Sequence, residues 1–163
     1  MRKLLEFAVC ACTLFACIAW AQGHQSQVGT WKLDTAQSNF GSDPAPKSLT
    51  VTILKDTPQL LSWRVDGVDD KGKSFSYSWS GPQDGSLHPV MQGGKEVSKQ
   101  SAKRNEDGSL LRHDEDPDGT TTDALSKVSE DGKMITDGAS VKTKDGKESK
   151  QKWVYRRVSG KKA

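Results

Sequence analysis

At 163 residues, with 24 Lys or Arg against 21 Asp or Glu and only 33% hydrophobic content, the chain is long enough for one domain and too polar for a bundle of membrane helices. The net charge of +3 is too small to indicate a partner, and nucleic acid is not among the partners expected. No cofactor is expected either.

The first segment, MRKLLEFAVCACTLFACIAWAQ, has a positive start at Arg2 and Lys3, an apolar run from Leu4 to about Trp20, and a small-x-small pattern at Ala19-Trp20-Ala21. This is the pattern of an export signal spanning residues 1–21, and it predicts a periplasmic or extracellular protein. Two alternatives stay open: lipoprotein anchoring at Cys17, within Leu14-Phe15-Ala16-Cys17, and a retained single-pass anchor. All three cysteines (Cys10, Cys12, Cys17) precede the expected cleavage point, so the mature chain, residues 22–163, has no disulfide to stabilise it and depends on burial. Without the signal, 22 basic and 20 acidic residues remain, and no transmembrane helix is expected.

Gly-containing turn dipeptides then recur every 9 to 14 residues: Asp84-Gly85, Gly93-Gly94, Asp107-Gly108, Asp118-Gly119, Asp131-Gly132 and Asp145-Gly146, with Gly72 in DDKGK. Such pairs supply the positive φ of tight hairpins. The segments between them alternate with period two: Leu49, Val51 and Ile53; Leu61, Trp63 and Val65; Phe75, Tyr77 and Trp79; Trp153 and Tyr155. The predicted strands are 28–34, 48–55, 59–68, 72–81, 86–91, 95–104, 109–115, 120–129, 132–142 and 148–158, with a short helical turn allowed at 34–40. The 14 residues TAQSNFGSDPAPKS, with Pro44 and Pro46, form a long loop over one barrel end, and Pro89 argues for an edge or a bulge. The expected fold is all-β, an antiparallel up-and-down meander of about 8–10 strands closed into a barrel, because an open sheet that long leaves two edges exposed. A two-sheet sandwich is the alternative. The last residues, 159–163, read as a basic disordered tail.

Gly29-Thr30-Trp31-Lys32-Leu33-Asp34, then Ser38 and Phe40, then PAPKSLTV, resembles the opening of a group of small exported, uncharacterised bacterial proteins, and DGSLHPV and SEDGKMIT resemble their later segments. The similarity covers nearly the whole mature chain, with His88 standing where an aromatic residue is usual. More broadly, Gly29-x-Trp31 is similar to the start of lipocalin-like barrels. That resemblance implies a barrel floor of Gly29 and Trp31 covered by Arg156 or Arg157.

Chemical motifs are few. Asp114, Asp116, Asp118 and Gly119 spell the start of a calcium loop, but the twelfth position is Leu125 and no helices flank it, so an EF-hand is excluded; a weak cation loop of the three aspartates stays open. His24, His88 and His113 match no zinc spacing. There is no G-x-S-x-G and no P-loop, and no enzyme is expected. The aromatic set Trp63, Phe75, Tyr77, Trp79, Trp153 and Tyr155 either fills the barrel or lines a cavity for a small hydrophobic or amphipathic ligand. Residues 105–131 hold nine acidic and two basic side chains, and residues 142–163 hold nine basic and two acidic ones. The second expected role is therefore contact with an anionic envelope partner, polysaccharide or lipid headgroup, through the basic last strand.

Overall fold

Residues 25–158 are described by a computed structural model. The expectations for the export segment 1–21, for Cys17, for His24 and for the tail 159–163 lie outside the described residues.

The period-two segments form ten strands: β1 (Gly29–Leu33), β2 (Ser48–Thr57), β3 (Leu60–Val68), β4 (Ser74–Gly81), β5 (His88–Gln92), β6 (Lys95–Arg104), β7 (Leu110–Glu115), β8 (Thr121–Val128), β9 (Met134–Lys142) and β10 (Glu148–Arg157). Each pairs antiparallel with the next in sequence, and β1 closes the barrel on β10 through Trp31↔Arg157, Lys32↔Arg156 and Leu33↔Tyr155. Closure satisfies the backbone groups that a sandwich would leave on its edges, and the sandwich alternative is set aside.

The two barrel ends are built differently. At one end, here the floor, Trp31 is fully buried and its Nε1 donates to the Gln27 carbonyl at 2.8 Å. Residues 25–28 cross this end and are fastened by Gln27 N donating to Asp56 Oδ2 at 2.8 Å, while Gln83 and Arg104 donate to the other oxygen of the same carboxylate. Leu61, Trp79, Ala102 and Leu110 are buried around Trp31 and complete a dry base; a buried leucine of this kind is worth about 2–5 kcal/mol against alanine. The opposite end, the mouth, is ringed by the β3–β4, β5–β6, β7–β8 and β9–β10 turns and by the long β1–β2 connection.

That connection corrects two expectations. Residues 35–37 form a turn closed by Gln37 N donating to Asp34 O, with no helix, and the chain then rejoins β10 through an Asn39↔Lys152 bridge. It acts as an irregular continuation of β1 along β10 more than as a cover, because Asn39 and Lys152 exchange both backbone hydrogen bonds at 2.7 Å. Phe40 is thereby buried edge-on against Trp153, ring centroids 4.8 Å apart.

Other differences are local. β5 starts at His88, not at 86, because Asp84 Oδ1 accepts from the Ser86 amide and holds residues 84–86 in a turn. Pro89 lies beside a register shift between Val90 and Met91, the bulge expected where a strand residue cannot donate. At Gly67 of β3 the lack of a side chain is forced by packing: a Cβ there would lie 2.5 Å from Phe75 Cζ and 2.8 Å from the Ser48 carbonyl oxygen.

Candidate functional site

Inward-facing positions do not fill the barrel. Large side chains stand on one wall, Trp63 and Val65 of β3, Tyr77 of β4, and Trp153 and Tyr155 of β10. Smaller inward residues stand among those of the other strands: Ser98 on β6, Ala124 and Ser126 on β8, and Ala139 on β9. The difference in size between the walls leaves a cavity of about 580 Å³, floored by Gln27, Trp31, Ile53, Leu61 and Leu110. This lies within the range of small-molecule sites, roughly 300–1,000 Å³.

Polar groups enter this space from β6, β7, β9 and β10. On β7 the inward face runs Leu110, Arg112, Asp114, and Asp116 follows at the rim. Arg112 Nη2 donates to Asp137 Oδ2 of β9 at 2.7 Å, across the small Ala124 that separates them on β8. Burial works against the Arg112 charge, yet Asp137 and Asp114 more than offset it and raise its pKa. Burial pushes the Asp114 carboxyl above its usual range; Arg112 pulls it down and Asp116 pushes it up further. Burial, with Asp137 close by, holds the Tyr155 hydroxyl far above the ordinary phenol value, so it stays protonated.

Gln100 links the apolar and charged parts. With its amide oriented as these neighbours require, its oxygen accepts from Trp63 Nε1 at 3.2 Å and its nitrogen donates to Asp114 Oδ1 at 3.0 Å. Three buried atoms facing this region have no hydrogen-bond partner: Gln27 Nε2, Arg112 Nε and Asp137 Oδ1. Buried polar atoms are nearly always paired, and these three all belong to residues that line the one cavity.

The structure divides the residues expected from sequence. Trp63, Tyr77, Trp153 and Tyr155 line the cavity. Trp79 does not: it is 2% exposed, its Nε1 donates to the Gln100 and His88 carbonyls, and it is packing in the floor. Phe75 does not either; it leans over Gly67 beside Tyr77, ring centroids 5.4 Å apart. Of the two floor arginines, Arg157 is the one over Trp31, its guanidinium carbon 4.0 Å from the ring centroid and its donors on the Gly132, Val28 and Ser26 carbonyls. Its Nη1 would lie 2.7 Å from a Cβ at residue 29, which together with a φ of 137° explains the glycine there. Arg156 falls on the outer face by strand parity and donates to Asp34 at 2.7 Å.

The aspartate trio is also split. Asp114 and Asp116 face the cavity, whereas Asp118 accepts from the Thr120 amide at 2.8 Å within its own turn. A cation loop would need them to converge, and among the described residues no three His, Cys, Asp or Glu side chains are grouped to hold a metal. His113 points outward to Asp123, Nδ1 to Oδ1 2.8 Å, and His88 contacts Ser86. On the outer face of β10 Lys150 and Lys152 are exposed, and Arg156 is held by Asp34. Sequence reasoning missed Gln27, Gln100, Arg112 and Asp137. Their signal was strand parity: Arg112 shares a face with Leu110, and Asp137 lies between Ile135 and Ala139.

No family model and no curated protein matches the sequence. Among solved structures the chain is similar to crystal structures of the fluorescent protein UnaG. One, a point mutant, superposes with TM-score 0.53 at 16% identity over 82% of this chain and 96% of that one; the wild type gives 0.53 at 14% over 80% and 96%. The likeness places the fold among lipocalin-like barrels. Among the described residues no helix is long and apolar enough to cross a membrane, which says nothing of spanning strands.

Proposed function

We propose that the protein is a non-catalytic carrier or sensor that takes one small amphipathic molecule into the barrel. The observation that carries this reading is the cavity of about 580 Å³, lined both by aromatic side chains and by the charged cluster of Arg112, Asp114 and Asp137. Aromatic surface supplies affinity through burial, and a few fixed polar groups orient what enters. The N-terminal sequence supports work outside the cytoplasm, and N-terminal sequencing of the mature protein from cell fractions tests that part.

The test of binding is a titration with N-phenyl-1-naphthylamine, a neutral dye that brightens in apolar sites. Saturable binding at one dye per chain is expected, with loss of about tenfold or more in affinity for Ala139→Phe, whose ring projects into the cavity. If the wild-type protein, folded by circular dichroism, gives no saturable signal, the reading fails.

A further inference from the structure

Resting on the cavity reading above, the charge inside the barrel narrows the ligand class. The charged side chains lining the cavity are one guanidinium, Arg112, and three carboxylates, Asp114, Asp137 and, at the rim, Asp116. The guanidinium is already engaged, because its Nη2 donates to Asp137 Oδ2 at 2.7 Å. Asp137 is 7% exposed, and its second oxygen, Oδ1, is buried and accepts no hydrogen bond. Asp114 has one neutral donor, the Gln100 amide, on Oδ1. Arg112 Nε also lacks a partner, but an anion arriving there would sit among carboxylates.

We propose that the cavity selects a cationic amphiphile: a protonated primary or secondary amine on an apolar body, its ammonium group seated between Asp137 and Asp114 and its body against Trp63, Tyr77 and Trp153. An ammonium brings donors to Asp137 Oδ1 and to Asp114, and it brings the cavity nearer to neutrality. A fatty carboxylate would do the reverse. The upward displacement of the Asp114 carboxyl by burial agrees with a site short of positive charge.

Three probes of equal chain length, decylamine, 1-decanol and decanoate, separate charge from burial. In isothermal titration calorimetry at neutral pH, below micelle-forming concentrations, decylamine is expected to bind about tenfold or more tightly than 1-decanol, with decanoate weakest. Asp137→Asn and Asp114→Asn each reduce the amine-to-alcohol ratio about tenfold. Asp123→Asn, on the outer face beside His113, leaves the ratio as in the wild type. Equal affinity for all three probes, or decanoate binding tightest, overturns this inference and leaves the cavity reading standing. No binding of any probe overturns both. A wild-type ratio that survives both cavity substitutions assigns the ammonium elsewhere and also overturns the inference.

Discussion

Replacing Arg112 by Met keeps the length of the side chain and removes its charge, leaving Asp137 and Asp114 inside the barrel without their cation. The pair is close, Nη2 to Oδ2 2.7 Å, and its side chains are 23% and 10% exposed. Breaking a buried ion pair by deleting one partner costs about 3–5 kcal/mol, chiefly the desolvation of the charge left behind. Here the partners border a cavity and not solid packing, so some water reaches the stranded carboxylates and the lower end applies, about 3 kcal/mol. For a chain of this size that lowers Tm by roughly 10 °C.

Asp137→Asn alone is expected to cost less, about 1–2 kcal/mol, because Arg112 retains Asp114 as a counter-charge. The double variant strands no partner of the pair, so its loss falls short of the sum of the singles by about 1–2 kcal/mol. Urea unfolding followed by tryptophan fluorescence at neutral pH measures all four proteins with a common m-value. Acidification gives a second test. In the Arg112→Met protein the folded Asp114 loses its only nearby guanidinium and its carboxyl moves further above the ordinary value of 3.8. A carboxyl raised on folding costs stability above its folded pKa, and that cost disappears as pH falls through it. The deficit must therefore shrink in acid. Additive single losses, or a deficit independent of pH, would refute the account of a coupled buried cluster.

Two further outcomes test the floor and the outer surface. Arg157→Ala is expected to cost about 2 kcal/mol, since it removes the stack on Trp31 and the donors to three backbone carbonyls, whereas Arg156→Ala, exposed beside Asp34, costs about 0–1 kcal/mol; equal losses in thermal unfolding would contradict the assignment of the floor arginine. The His113 pKa is raised above 6.5, mainly by the hydrogen bond to Asp123 with Glu115 adding and burial opposing, so stability from this contact is fully present below 6.5 and is lost as pH rises through the folded value. The urea midpoint gap between wild type and Asp123→Asn should therefore narrow on the alkaline side; a constant gap shows that the contact acts without the imidazolium.

The strand plan was legible because turn chemistry and period-two alternation agree along this chain. Gly72, Gly85, Gly93, Gly94, Gly108, Gly119, Gly132 and Gly146 all have positive φ at the expected hairpins. Closure was legible as a consequence, since closing a ten-strand meander pairs both of its edge strands. Half of the site was not. The large wall was visible as aromatic alternation, but which aromatics face open space depends on what stands across the barrel. Trp79 has packed neighbours and a donor role at the floor, while Trp63, one strand away in register with it, faces the cavity. Alternation gives the face of a sheet and says nothing of depth along the barrel axis.

The RHDEDPDG run shows the same limit more sharply. As a string it suggests one acidic cluster, but strand parity separates it: Arg112, Asp114 and Asp116 go inward, His113 pairs outward with Asp123, and Asp118 closes its own turn. A charged residue on an inward position is costly for stability unless it is paired, and the barrel pairs Arg112 through a partner 25 residues away on β9. That partner could not be found by spacing, because β8 lies between the two strands and contributes only Ala124 and Ser126 at those rungs. The small residues that let Arg112 reach Asp137 are also the ones that open the cavity. The pairing of small residues with inward charge is thus the feature that separates an open cavity from a packed core in this barrel.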